Sequence, residues 1–201
     1  MMMKKFLTFF NRKKSKLFRK RNKIKLLIYK VLMGGSVYLK GKVNTNQKVV
    51  LKGLGTISIG NNVSFGYETS PQFRCSECYI EARNSSSEII IGENVFFNNG
   101  CSLIADKSTI SIGDNTIIGP NFTCLGSNFH SLDPKKRNGS DYSCKPISIG
   151  KNVFIGANVT VLQGVTIGDN SVIGAGCVVT KSIGENMVAR PPELTTVELK
   201  I

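Results

Sequence analysis

From residue 149 onward an aliphatic side chain recurs at every sixth position: Ile149, Ile155, Val161, Ile167, Ile173 and Val179. A period of six is neither the 3.6-residue repeat of a helix nor the simple alternation of a lone strand. It fits a chain that runs a short strand, turns and repeats, burying one aliphatic side chain on each face. Coils of this kind stack, and each covers the apolar face of its neighbour. Gly150, Gly156, Gly168 and Gly174 each follow an aliphatic position, where glycine is expected to supply turn freedom. Asn152, Asn158 and Asn170 sit where turn geometry is also required, and asparagine tolerates it.

Looser copies lie upstream at Ile59 to Val63, Ile91 to Val95, and Ile112 to Asn115 followed by Ile118 to Asn121. Two breaks interrupt the register. Residues 67–87 include Cys75 and Cys78 and a serine turn at Ser85, Ser86 and Ser87; residues 125–146 are rich in Gly, Ser, Asn, Pro and charge. Long loops that project from a regular scaffold are usually functional or disordered. The second break holds His130, the one histidine of the chain.

Charge divides the chain. Residues 1–67 carry 16 Lys and Arg and no acid before Glu68, although the whole chain is at +14. The remainder is near neutral. A protein basic throughout, as a general nucleic-acid binder would be, is therefore excluded, and no recognition motif accompanies the basic third. No run reaches the roughly 20 apolar residues of a spanning helix. The six cysteines do not make a small disulfide scaffold in 201 residues, so the expectation is a cytosolic protein with reduced thiols. Cys75 and Cys78 form a lone C-x2-C, and a structural zinc needs further ligands, so no metal is expected.

The isoleucine-glycine-x-asparagine hexapeptides from Ile59 to Val179 resemble those of the hexapeptide-repeat acyltransferases. Three stretches sharpen the likeness to the maltose/galactoside O-acetyltransferase group and its capsular and O-antigen relatives. They are Phe96 to Cys101, the loop from His130 through Asp133 and Pro134 to Ile147, and Gly164 to Gly176 with Thr180 and Lys181. The resemblance implies an all-β fold, a left-handed parallel β-helix assembled as a homotrimer, preceded here by a short basic helical segment. The expected division is a basic amphipathic segment at 1–40, the β-helix at 41–188 with loop 125–146, and a tail at 189–201. The likeness also implies transfer of an acetyl group from acetyl-CoA to a sugar hydroxyl, in a cleft between subunits, in the synthesis of a cell-surface polysaccharide.

Within that reading His130 is the general base, because an alcohol attacks a thioester only while its proton is being removed, and imidazole suits that task near neutral pH. The resemblance gives Asn99 a place at the acceptor sugar, with a stacked turn asparagine as the alternative, and Asp106 a place beside it. Lys107 stands where the family carries a carboxylate. Ala157 and Ala175 are implied along the pantetheine arm, Thr180 and Lys181 near the nucleotide, Phe154 where an aromatic is usual, and Arg190 as a phosphate ligand in a tail that departs from the family ending. Asp133 and Asp141 read as solvated loop residues. A single histidine excludes the zinc-dependent carbonic anhydrases of this fold.

Other readings stay open on the sequence. An N-acyltransferase acting on an amino-sugar nucleotide would use the same scaffold, and a non-enzymatic membrane-associated β-helix would need no site. Ile24, Leu27, Ile28 and Val31 share one helical face among lysines. Residues 1–33 could thus meet an anionic membrane surface from the cytoplasmic side, or dock that apolar face on the β-helix or a trimer neighbour.

Overall fold

The structure, a computed structural model, describes residues 2–192, with side chains from residue 15 onward. Three parallel sheets run alongside one another. The first contains Val37–Leu39, Thr56–Ile59, Glu88–Ile91, Thr109–Ile112, Ile147–Ile149 and Thr166–Ile167. The second contains Val43–Thr45, Val63–Phe65, Phe96–Phe97, Ile117–Ile118, Phe154–Ile155, Val172–Ile173 and Val188–Ala189. The third contains Lys48–Gly53, Glu77–Ala82, Ser102–Ala105, Thr123–Leu125, Thr160–Leu162 and Val178–Val179. Consecutive strands fall in consecutive sheets, so the chain winds as a three-sided left-handed β-helix.

The period of six is the register of this winding. Ile91, Ile112, Ile149 and Ile167 align in the first sheet, Phe97, Ile118, Ile155 and Ile173 in the second, and Leu103, Cys124, Val161 and Val179 in the third. All are buried along the axis. The phenyl rings of Phe65 and Phe97 stack at 5.0 Å between centroids in the second sheet's column.

Many corners turn through one residue in left-handed backbone. Between the first and second sheets, in every coil after the first, that residue is asparagine: Asn62, Asn94, Asn115, Asn152, Asn170 and Asn186, with φ from 55° to 59°. Their side chains form ladders, Asn152 to Asn170 at 3.2 Å and Asn170 to Asn186 at 3.1 Å. Asn170→Ala is expected to destabilise by about 1–2 kcal/mol through the left-handed penalty, with Asn170→Gly recovering most of that loss in urea unfolding. The glycine after each aliphatic has another role than the expected one. Its φ is not positive; instead a Cβ on Gly156 would lie 2.6 Å from Ala175 N, and one on Gly113 would lie 2.6 Å from Gly150 C. Close stacking of coils, and not turn freedom, requires glycine there.

Three expectations change. The β-helix begins at Val37, whose strand pairs with Thr56–Ile59, so its boundary lies before residue 41. This first coil carries no isoleucine-glycine-x-asparagine signature. At the other end Ala189 still pairs with Ile173, so the body runs past 188; residues 193–201 lie outside the described residues. Cys78 and Cys101, expected as reduced thiols, form a disulfide. They meet because they sit in neighbouring coils with Cα atoms 4.6 Å apart, and both are fully buried.

Helix α1 (Met2–Leu32) packs on the first coil through Asn22 and Leu26, with Tyr29 and, just after the helix, Met33 partly buried, while the buried Ser15 donates to Glu68 in the insertion after Val63–Phe65. The buried Asn22 amide faces the carbonyls of Thr45 and Asn46, each at 3.4 Å. The stripe expected as a possible docking face, Ile24, Leu27, Ile28 and Val31, is left exposed. Among the described residues no helix is long and apolar enough to cross a membrane.

Candidate active site

The loop bearing His130 leaves the corner between the third and first sheets, after Thr123–Leu125 and before Ile147–Ile149. Its neck is tied: Ser127 and Cys144 form an antiparallel bridge, Asn128 N donates to Ser143 O at 3.0 Å, and Lys145 N donates to Gly126 O at 3.1 Å. Asp133 caps a 3₁₀ turn at Pro134–Lys136 by accepting from Lys135 N at 2.9 Å. Its carboxylate is therefore a turn former. Asp141 is paired with Lys136 at 3.3 Å on the exposed rim.

That turn carries the carbonyl of Arg137 back to His130, 2.9 Å from Nδ1. A carbonyl oxygen only accepts, so this hydrogen bond assigns the proton to Nδ1 and leaves the lone pair on Nε2. His130 is exposed, and Nε2 has no protein partner among the described residues. The arrangement suits an imidazole that accepts a proton from a molecule arriving from solvent.

The residue before it is strained. Phe129 has φ of 60°, a left-handed conformation that a bulky residue rarely adopts. Ser127 Oγ accepts from Phe129 N at 3.2 Å, and the Arg83 guanidinium lies 4.8 Å from the centre of the phenyl ring. Such strain persists only where surroundings over-determine it, and it clusters at functional sites.

Asp106 sits beneath this segment with no exposed surface. Its carboxylate accepts from Tyr142 Oη at 2.8 Å, from Ser127 Oγ at 3.5 Å and from the Asn84 amide, and Arg83 Nη1 lies 3.7 Å away. The hydrogen bond to Asp106 raises the Tyr142 phenol above its ordinary pKa, which keeps it a donor. Arg83 also pairs with Glu81 at 3.0 Å, and that hydrogen bond raises the guanidinium further. Burial pushes the Glu81 carboxyl up, but hydrogen bonds from Arg83 and Tyr79 outweigh it and hold the pKa below the usual value. Lys107 lies 4.5 Å from the Tyr142 ring centre and donates to Ser140 O at 3.2 Å. Asp106, expected at the acceptor, is thus the anchor of both ends of the histidine loop.

Asn99 is also fully buried. Its amide donates to the carbonyls of Tyr67, Ser70 and Pro71 at 2.8–3.2 Å and accepts from Tyr67 N at 3.0 Å. It holds the insertion after Val63–Phe65 in place.

The residues expected at the cofactor divide by corner. Thr180 and Lys181 follow Val178–Val179 at the same corner that bears the His130 loop, two coils further along, or about 10 Å at the usual strand spacing. Gln163 occupies that corner in the intervening coil, and its amide donates to Asn128 in the loop at 2.5 Å. Arg190 joins Thr180 and Lys181 around an open depression of about 190 Å³, with Cys177 and Ile183. Two cations and no carboxylate line it, which suits phosphate groups. Ala157 and Ala175 stack at a different corner, between the second and third sheets, where Gly176 N donates to Ala157 O at 2.8 Å. Phe154 is exposed on the second sheet, in register with Ile117 and Val172.

The family profile described as the hexapeptide repeat of succinyl-transferase matches residues 146–181. A putative acetyltransferase of Saccharomyces cerevisiae is 35% identical over 172 residues, covering 85% of this chain and 76% of that protein. The chain belongs to the hexapeptide-repeat acyltransferases. The galactoside O-acetyltransferase of Escherichia coli is 48% identical to this family member over 103 residues, 51% of this chain. The chain spans only half, 50%, of the length of that relative. A solved galactoside acetyltransferase in complex with coenzyme A superposes with a TM-score of 0.54 at 27% identity, covering 88% of this chain and 77% of that one.

Arg83, Ser127, Phe129, Tyr142 and Gln163 were not singled out from the sequence. Strand register could have found Arg83: Ala82 pairs with Ala105, which puts Arg83 and Asp106 at equivalent positions in adjacent coils.

Proposed function

We propose that this protein is an acetyl-CoA-dependent O-acetyltransferase that acts on a hydroxyl of a sugar, in a cell-surface polysaccharide or its precursor. One observation carries the mechanism: the Arg137 carbonyl fixes His130 as the Nδ1 tautomer and leaves Nε2 free to take a proton. His130 removes the hydroxyl proton as the oxygen attacks the thioester carbonyl, so that no covalent acyl-enzyme is needed. A backbone amide opposes the charge that develops on the carbonyl oxygen. The imidazolium then returns the proton to the departing thiolate, and ester and free thiol are the products. Lys181, Thr180 and Arg190 hold the phosphates of the co-substrate.

The separation of these residues between two corners supports a homotrimeric reading. Ala157 and Ala175 lie on one corner, and Thr180, Lys181 and the His130 loop on another, so a cleft between neighbouring subunits would unite them. We place the enzyme at the inner face of the cell membrane, with residues 1–33 towards anionic lipid.

Release of free thiol from acetyl-CoA, measured over a panel of sugars and oligosaccharides, tests the reading. Turnover with a hydroxyl acceptor is expected, and Lys181→Gln should raise the acetyl-CoA KM severalfold while leaving kcat little changed. Absence of any coenzyme A affinity would overturn it, and amide products on amino sugars would redirect it to N-acylation.

A further inference from the structure

Between α1 and the first two coils lies an open groove of about 430 Å³ that the transfer reaction does not use. Arg19, Lys20 and Lys23 line it from the helix and Lys42 from the first coil, with Asn44 and Ser64 on its floor. None of the four cations is in an ion pair among the described residues, and no carboxylate lines the groove. Asn44 donates to Ser64 Oγ at 3.0 Å, which leaves the Ser64 hydroxyl proton and a second Asn44 amide hydrogen free as donors. Four cations with neutral donors between them match a phosphate group, which accepts charge-assisted hydrogen bonds from several directions.

The groove borders an apolar surface. Lys20 and Lys23 stand one helical turn before Ile24 and Leu27, which with Ile28 and Val31 form the outward stripe of α1. These four side chains are 50%, 45%, 51% and 77% exposed, although the helix is already docked through its opposite face. A cationic groove beside an apolar stripe is complementary to a lipid headgroup beside its acyl chains. A second copy of the chain fits less well, because it would bring another basic helix against this one.

We infer that this groove is a headgroup site for an anionic phospholipid, with the phosphate held by Arg19, Lys20, Lys23 and Lys42 while the Ile24–Val31 stripe enters the bilayer interface. The inference deepens the membrane placement given above and rests on that placement, but it is independent of the acetyl-transfer reading. Lys42 lies outside residues 1–33, and a helix acting alone would not use it.

Co-sedimentation of the full chain with vesicles of phosphatidylcholine, alone and mixed with phosphatidylglycerol, tests it. Lys23→Gln with Lys42→Gln is expected to weaken binding to the mixed vesicles by about 25-fold, at about fivefold for each charge near the surface. Lys16→Gln with Lys30→Gln removes the same amount of charge, both from α1 and outside the groove, and should weaken binding markedly less. Inorganic pyrophosphate should shift the amide resonances of Lys42, Asn44 and Ser64 in the native chain and not in the groove variant. Ile28→Asp should abolish vesicle binding and keep those pyrophosphate shifts, which shows that the groove remains folded. Equal losses in the two lysine pairs would mean diffuse attraction and overturn the site. Pyrophosphate shifts without vesicle binding by the native chain would overturn the lipid as its ligand. Turnover with a soluble acceptor should be unchanged in the Lys23, Lys42 variant, so failure here is distinguishable from failure of the transferase reading.

Discussion

Replacing His130 by alanine is expected to lower acetyl transfer by about 10²–10⁴-fold, the contribution of a positioned base, with melting temperature and coenzyme A affinity close to native. The separation follows from where the side chain sits. His130 is exposed, and its described hydrogen bond is the one from Nδ1 to Arg137 O, so its removal opens no cavity and orphans no buried group. The loop keeps its other ties at Ser127, Asn128, Tyr142 and Lys145. Thr180 and Lys181 lie two coils away and Arg190 a coil further, so on the proposed reading affinity for the co-substrate should not depend on the imidazole. His130→Gln restores a polar side chain but no basic nitrogen, and it should be as slow as the alanine variant. Full turnover in either variant would remove His130 from the chemistry.

How much could be read from residues alone depends on how local each cause is. The coils from Ile149 to Val179 were legible because one buried side chain per six residues is a pattern of spacing, and the left-handed asparagines mark its corners. The first coil, from Val37 to Gly53, was not, because it turns without the isoleucine-glycine-asparagine signature and is closed by a helix. His130 was legible as the one histidine in a long insertion. Its tautomer was not, since that depends on a 3₁₀ turn that returns the Arg137 carbonyl seven residues later. Asn99 and Asp106 were found as polar residues inside apolar coils, but their direction was not legible. Both face inward to backbone or to neighbouring side chains brought by stacking. The disulfide belongs to the same class, because only the register sets Cys78 beside Cys101.

Asp106→Ala is expected to destabilise the protein by about 3 kcal/mol, the low end for a broken buried pair, and to slow transfer as well. The carboxylate is wholly buried, and its loss strands the Tyr142 hydroxyl, the Asn84 amide and part of the Arg83 interaction. Arg83 is partly exposed and keeps Glu81, which limits the loss. Asp106→Asn separates positioning from folding, because it preserves volume and one acceptor while removing the charge that holds Arg83 near Phe129. This variant should fold, with kcat reduced about tenfold or more and the acetyl-CoA KM unchanged, since Phe129 no longer fixes the direction of His130. A fall in stability with no change in kcat would make Asp106 a structural residue only. Acid should reproduce part of the effect in the native protein. Glu81 has its pKa depressed in the folded state, so its contribution is full above the unfolded carboxylate value and is lost as pH falls through the folded one. Protonation there frees Arg83 from its principal partner, loosens its hold on Phe129, and should make Asp106→Asn less distinguishable from native at low pH than at neutrality.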